Sequence, residues 1–191
     1  MGGEPKAGFV RHAGCPGTQI VPVPINPAEI AIVAVGSNLG DSRVNVLRAF
    51  DRLESFSARP ILRSSLWETT PVDCPPDSPP FINAVVAVVP LTGETPETLL
   101  QKLQTLEREF GRRPKQVHNE SRPLDLDLIS FGFETRVSTS LTLPHPRAHE
   151  RRFVLEPLAE IAPGLVLAGQ TQTVSQLLRT LAQDPSMHRL T

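Results

Sequence analysis

Two aspartates, Asp125 and Asp127, stand two residues apart in the run Arg122-Pro123-Leu124-Asp125-Leu126-Asp127-Leu128-Ile129. Side chains alternate along a strand, so both carboxylates emerge on one face and Leu124, Leu126 and Leu128 on the other. With a rise of roughly 3.3 Å per residue, their Cα atoms lie about 6.5 Å apart. Like charges that close repel, and aspartate is depleted in strands, so a positive group is expected beside them. Mg²⁺, a hard ion that prefers carboxylate and phosphate oxygens, is the natural candidate. Two such ions could bridge the pair to a polyphosphate. The plain alternative is a solvent-facing pair on an edge strand.

Four other groups could join such a site. Glu107 lies on a helical segment near the irregular stretch 112–122, just off the apolar stripe; an ordinary exposed glutamate is the alternative. Arg112, Arg113 and Arg122 flank that stretch, with Lys115 and His118 inside it, and could close on a triphosphate. Phe81 and Asn83 open a strand and share a face, offering one ring and one amide to a flat ligand. Core packing and a turn-bonding amide are their ordinary readings. His145 sits between Pro144 and Pro146, where the backbone is held near extended conformations, with Arg147, Arg151 and Phe153 following. Gly36-Ser37-Asn38-Leu39-Gly40-Asp41 joins a strand to a helix, where phosphate loops occur. It lacks the Gly-Lys-Ser/Thr of a Walker A sequence, and a tight turn with an N-cap is the simpler reading.

The elements that must position these groups are legible in outline. Residues 1–28 are rich in proline and glycine without periodicity and read as a disordered tail, leaving 29–191 as one domain. Glu29 to Val35 reads as a buried strand. Asp41 or Ser42 caps a helix whose apolar face is Val44, Leu47, Phe50 and Leu53. A second strand runs from about Ile61 to Trp67, and the five prolines between Thr69 and Pro80 demand a long loop. A third strand covers Phe81 to Val89. Thr95-Pro96 starts a helix with Leu99, Leu103, Leu106 and Phe110 at helical spacing, closed by Gly111. The acidic strand follows, from Leu124 to Phe131, then a short hairpin, a compact segment from Phe153 to Ile161, and an amphipathic helix near Val174 to Leu181. Strand-helix-strand-strand-helix-strand is the order of a ferredoxin-like α+β domain. Its helices are expected on one face, leaving the other for a ligand under mobile loops.

Composition narrows the function classes. The net charge of −1 gives no field for nucleic acid or an anionic membrane. Sixteen of the 19 basic residues are arginines, which suit bidentate phosphate contacts. Two distant cysteines, Cys15 and Cys74, make no disulfide framework and fit a reducing compartment. No apolar run nears the roughly 20 residues of a membrane span. A cytoplasmic, monomeric protein is expected.

Four blocks in series then resemble the hydroxymethyldihydropterin pyrophosphokinase family: AIVAVGSNLGD, WETTPVDCPPDSPPFINAVV, LEREFGRRPKQVHNESRPLDLDLISFG and LPHPRAHERRFVLEPLAEIAP. The similarity runs from about Ile30 to Leu181. It implies transfer of diphosphate from ATP to 6-hydroxymethyl-7,8-dihydropterin in folate biosynthesis, by attack of the hydroxymethyl oxygen on the β-phosphorus. It implies that Asp125 and Asp127 bind two Mg²⁺ ions, with Arg112 also catalytic. Phe81 and Phe153 would sandwich the pterin, Asn83 would bond its edge, and Thr69 and Val72 would complete that pocket. Gln104, Glu107, Arg112, His145 and Arg151 would line the nucleotide side. The chain departs from the family at Asp73, Pro114 and 118–121, a change that points to a catalytically impaired pterin- or nucleotide-binding relative as the other reading.

Overall fold

The apolar run after Ile30 forms β1 (Ala31–Ser37), in which every residue but Ala34 is buried. The computed structural model describes residues 26–71, 75, 78–113 and 120–190. The expected tail boundary falls inside a short 3₁₀ turn, Pro27–Glu29, which Asn26 caps.

Asp41 caps α1 (Ser42–Leu53), its side chain accepting the Val44 N–H at 3.0 Å. The buried stripe of α1 is Val46, Ala49, Phe50 and Leu53. Val44 and Leu47, expected on that stripe, are instead exposed. Two apolar stripes overlap on this helix and share Phe50 and Leu53; the small Ala49 lets the helix approach the sheet on the other one.

The strand expected between 61 and 67 is two pieces, β2 (Leu62–Arg63) and β3 (Trp67–Thr69). At the break Ser64 donates its N–H to Val85 O at 2.9 Å, and its Oγ accepts the Val85 N–H at 2.9 Å. A side chain thus carries one rung of the ladder. β4 (Phe81–Val88) is buried beyond its first residue. In α2 (Pro96–Glu109), Thr95 and Thr98 cap each other's backbone reciprocally, and Gly111 follows the helix with φ +93. β5 (Asp125–Phe131) is the acidic strand. Then come the hairpin β6 (Arg136–Val137) and β7 (Thr142–Leu143), α3 (Arg152–Ile161), α4 (Val174–Thr180) and β8 (His188–Arg189).

The main sheet has the order β5-β1-β4-β3-β8, with β2 also on β4, and every pairing is antiparallel. The expectation that helices occupy one face requires correction. α1 and α2 cover one face, against Ala31, Val33 and Val35. α3 and α4 cover part of the other, against Ile32, Val85, Ala87 and Ile129. Alternate residues of β1 point to opposite faces and nearly all are buried, which requires cover on both sides. Among the described residues no helix is long and apolar enough to cross a membrane.

Candidate active site

The face that α3 and α4 cover at one end of the strands is open at the other. On β5 the same alternation that buries Ile129 brings up Asp127 and Asp125. Gly36 on β1 stands opposite both Asp125 and Asn83, and Ala34 opposite both Asp127 and Val85. The central strand therefore offers only small residues between the carboxylates and the amide. A Cβ on Gly36 would lie 3.2 Å from Asn83 Oδ1 and 3.8 Å from Asp125 Cβ, so the bare backbone forms the floor.

Above that floor is a cavity of about 270 Å³. Thr69, Phe81 and Asn83 line it from the β3 and β4 side and Asp125 and Asp127 from the β5 side, with Arg112, His145, Arg151 and Phe153 completing the wall. Nine of the residues expected from the sequence are thus brought together. Two are placed otherwise, and a third is not among the described residues. Gln104 is exposed on α2 and lines no part of the cavity. Val72 lies outside the described residues, as do Lys115 and His118 of the basic stretch and both cysteines. Glu107 is buried beneath the site rather than facing it.

Glu107 acts through its neighbours. Its Oε1 accepts the Leu126 N–H at 2.8 Å, between the two aspartates, and also pairs with Arg112 Nη1. Its position was readable: it follows Leu103 by four and precedes Phe110 by three, which puts it on the buried face of α2. Burial pushes its carboxyl up to about 7, against the Leu126 N–H and the Arg112 guanidinium, which favour the ionised form.

Arginines meet each aspartate. Asp125 Oδ1 accepts from Arg112 Nη1 at 2.9 Å and Arg122 Nη1 at 3.0 Å. Arg151 Nη1 lies 3.6 Å from Asp127 Oδ2, and its guanidinium stands 5.5 Å from the centroid of the Phe153 ring. Arg122, which the sequence marks only as a flank of the basic stretch, also lines the cavity. Burial raises the Asp127 carboxyl, and Asp125 raises it further; His145 and the arginines oppose this. Burial likewise lowers the His145 imidazole, against the pull of Asp127. The proline-flanked histidine is held through its backbone, which donates to Ile129 O at 2.8 Å, and its Nδ1 accepts the Arg147 N–H at 3.2 Å. On the β3 and β4 side Asn83 Nδ2 donates to Thr69 Oγ1 at 2.8 Å.

No group of three or more His, Cys, Asp or Glu side chains gathers around a metal-sized position among the described residues. Asp127, whose charged form burial and the neighbouring Asp125 disfavour, nevertheless fits Mg²⁺ together with Asp125. That ion commonly takes one or two carboxylates and completes its octahedron with substrate phosphates and water. The arrangement can bind a flat heteroaromatic ring and a polyanion in one cavity, with the reacting atoms between them.

A profile of the family described as 7,8-dihydro-6-hydroxymethylpterin-pyrophosphokinase matches residues 32–163. The 2-amino-4-hydroxy-6-hydroxymethyldihydropteridine pyrophosphokinase of Bacillus subtilis is 39% identical over 133 residues, covering 69% of this chain and 77% of that protein. Its namesake in Haemophilus influenzae is 35% identical over 161 residues, covering 84% and 97%. The folate synthesis bifunctional protein of Arabidopsis thaliana is 36% identical over 133 residues, and the match spans 70% of this chain but 27% of that one. Among solved structures, an HPPK-DHPS in complex with substrates superposes with a TM-score of 0.63 at 14% identity, over 81% of this chain and 43% of its own. That likeness concerns the fold alone.

Proposed function

The chain belongs to the 7,8-dihydro-6-hydroxymethylpterin pyrophosphokinase family, and on that footing we propose that it transfers the terminal diphosphate of ATP to 6-hydroxymethyl-7,8-dihydropterin in folate biosynthesis. The observation that carries this reading is one cavity that Phe81, Asn83 and Phe153 line together with Asp125, Asp127 and three arginines. The hydroxymethyl oxygen attacks the β-phosphorus; the bond from that phosphorus to the oxygen bridging it to the α-phosphate breaks; AMP leaves with that oxygen, and the hydroxyl proton passes to solvent.

Phe81 and Phe153 hold the pterin ring by stacking, while Asn83, fixed by Thr69, bonds its edge. Arg112, Arg122, Arg151 and His145 meet the phosphates, and guanidinium forks suit that contact. Asp125 and Asp127 would hold Mg²⁺, two ions in this reading, which would supply charge neutralisation for the triphosphate. Glu107 serves as a positioning residue for Arg112 and the backbone between the aspartates. The protein's share of catalysis is then alignment and preorganised charge.

We read β1, α1, the broken strand β2–β3, β4, α2 and β5 as a ferredoxin-like βαββαβ unit, which the strand order β5-β1-β4-β3 supports. The same reading takes 29–191 as the catalytic domain of a cytoplasmic monomer, behind a tail at 1–28.

AMP release from ATP and Mg²⁺, with and without the pterin alcohol, tests the proposal on wild type and Asp127→Ala. Pterin-dependent AMP is expected from wild type, with a loss of about a thousandfold or more in the variant. Pterin binding without turnover would favour the impaired relative instead.

A further inference from the structure

The family match ends at residue 163, yet the segment after α4 returns to the site. β8 pairs with the outer edge of β3, His188 opposite Glu68 and Arg189 opposite Trp67, and Leu190 N–H donates to Leu66 O at 2.8 Å. Arg189 Nε donates to Ser65 Oγ at 2.8 Å. Nearer the cavity, Ser186 Oγ donates to Asp184 Oδ1 at 2.6 Å. A hydroxyl has one proton, and that of Ser186 is taken by the carboxylate. Thr70 Oγ1 therefore donates across 2.8 Å to Ser186 Oγ. Thr70 and its neighbour Thr69 both line the cavity.

β3 is only three residues long. A strand so short, paired on one edge, is weakly held; a second pairing fixes its place. Thr69 closes this strand and is the acceptor for Asn83. β5, with both aspartates, lies at the far side of the sheet, beyond β4 and β1.

We propose that the segment 184–190 is a brace that sets Thr69 and Thr70 in the cavity wall, so that Ser186 is a positioning residue for the ring substrate and not for the nucleotide. This rests on the pterin reading of that side of the cavity.

The test measures KM for pterin and for ATP separately, and pterin Kd by fluorescence of the ring, in wild type, Ser186→Ala, Ser186→Thr and Arg189→Ala. Ser186→Ala is expected to raise pterin KM and Kd about fivefold, the worth of one hydrogen bond, with ATP KM and kcat within about twofold. Ser186→Thr, which keeps the hydroxyl, restores wild-type values, and Arg189→Ala shifts pterin binding in the same sense. Unchanged pterin constants in both alanine variants, or a parallel rise for ATP, would overturn the brace. A wild type that binds pterin but releases no AMP sinks the catalytic reading and leaves the brace to be judged on Kd. A wild type that binds no pterin overturns both.

Discussion

Asn38 and Arg122, 84 residues apart in sequence, are joined twice through the backbone of Arg122. The Asn38 N–H donates to Arg122 O at 3.1 Å, and Asn38 Oδ1 accepts the Arg122 N–H at 2.8 Å. The same amide donates to Ser121 Oγ at 3.2 Å and to Pro79 O at 3.5 Å. The asparagine itself is 1% exposed, while Ser121 and Arg122 are half-buried. The turn after β1 thereby fixes the chain ahead of β4 and the chain ahead of β5. It also sets Arg122, whose guanidinium meets Asp125.

Asn38→Ala should therefore cost both stability and rate. It removes the side-chain acceptor of the partly buried Arg122 N–H and the amide's bonds to Ser121 and Pro79, a loss of about 1 to 2 kcal/mol measurable by urea unfolding. Because Arg122 loses its anchor, kcat/KM should fall by about tenfold beyond what the unfolded fraction explains. Normal kinetics in a destabilised variant would limit Asn38 to a structural role.

Gly36→Ala separates binding from folding in the opposite way. The new methyl would sit 3.2 Å from Asn83 Oδ1 and 3.9 Å from Phe81 Cδ1, on the floor of the cavity. Asn83 is held by Thr69 and yields only by giving up that bond. Calorimetry with the pterin should show affinity lower by about tenfold, with stability changed by less than about 1.5 kcal/mol. Unaltered affinity would mean that the ring does not approach this floor.

Glu107 makes stability depend on pH in a defined direction. Burial lifts its carboxyl from the ordinary 4.5 to about 7, so the folded chain holds this proton more tightly than the unfolded one. The contribution is complete below about 4.5 and is lost as pH rises through about 7. Glu107→Gln keeps an oxygen for the Leu126 N–H and removes the titration. Its stability relative to wild type should improve between pH 5 and pH 8, by on the order of 3 kcal/mol at most. Parallel unfolding curves at the two pH values would sink this.

The sequence alone determined which residues share a face of a strand. Asp125 with Asp127, and Phe81 with Asn83, follow from the period of two along an unbulged stretch of strand. Caps at Asp41 and Thr95 were equally local, because a side chain there bonds a backbone only a few residues on. Tertiary structure decided what each face meets. Whether α1 buries Val44 and Leu47 or Val46 and Ala49 depends on the sheet it approaches, since both stripes are apolar. That α3 and α4 would cover the second face, leaving the site cavity at one end, is set by contacts between segments distant in sequence. β8 has two residues and no pattern; it is a strand because β3 offers an edge. Arg122 joins the site for the same kind of reason, as Asn38 holds its backbone from across the fold.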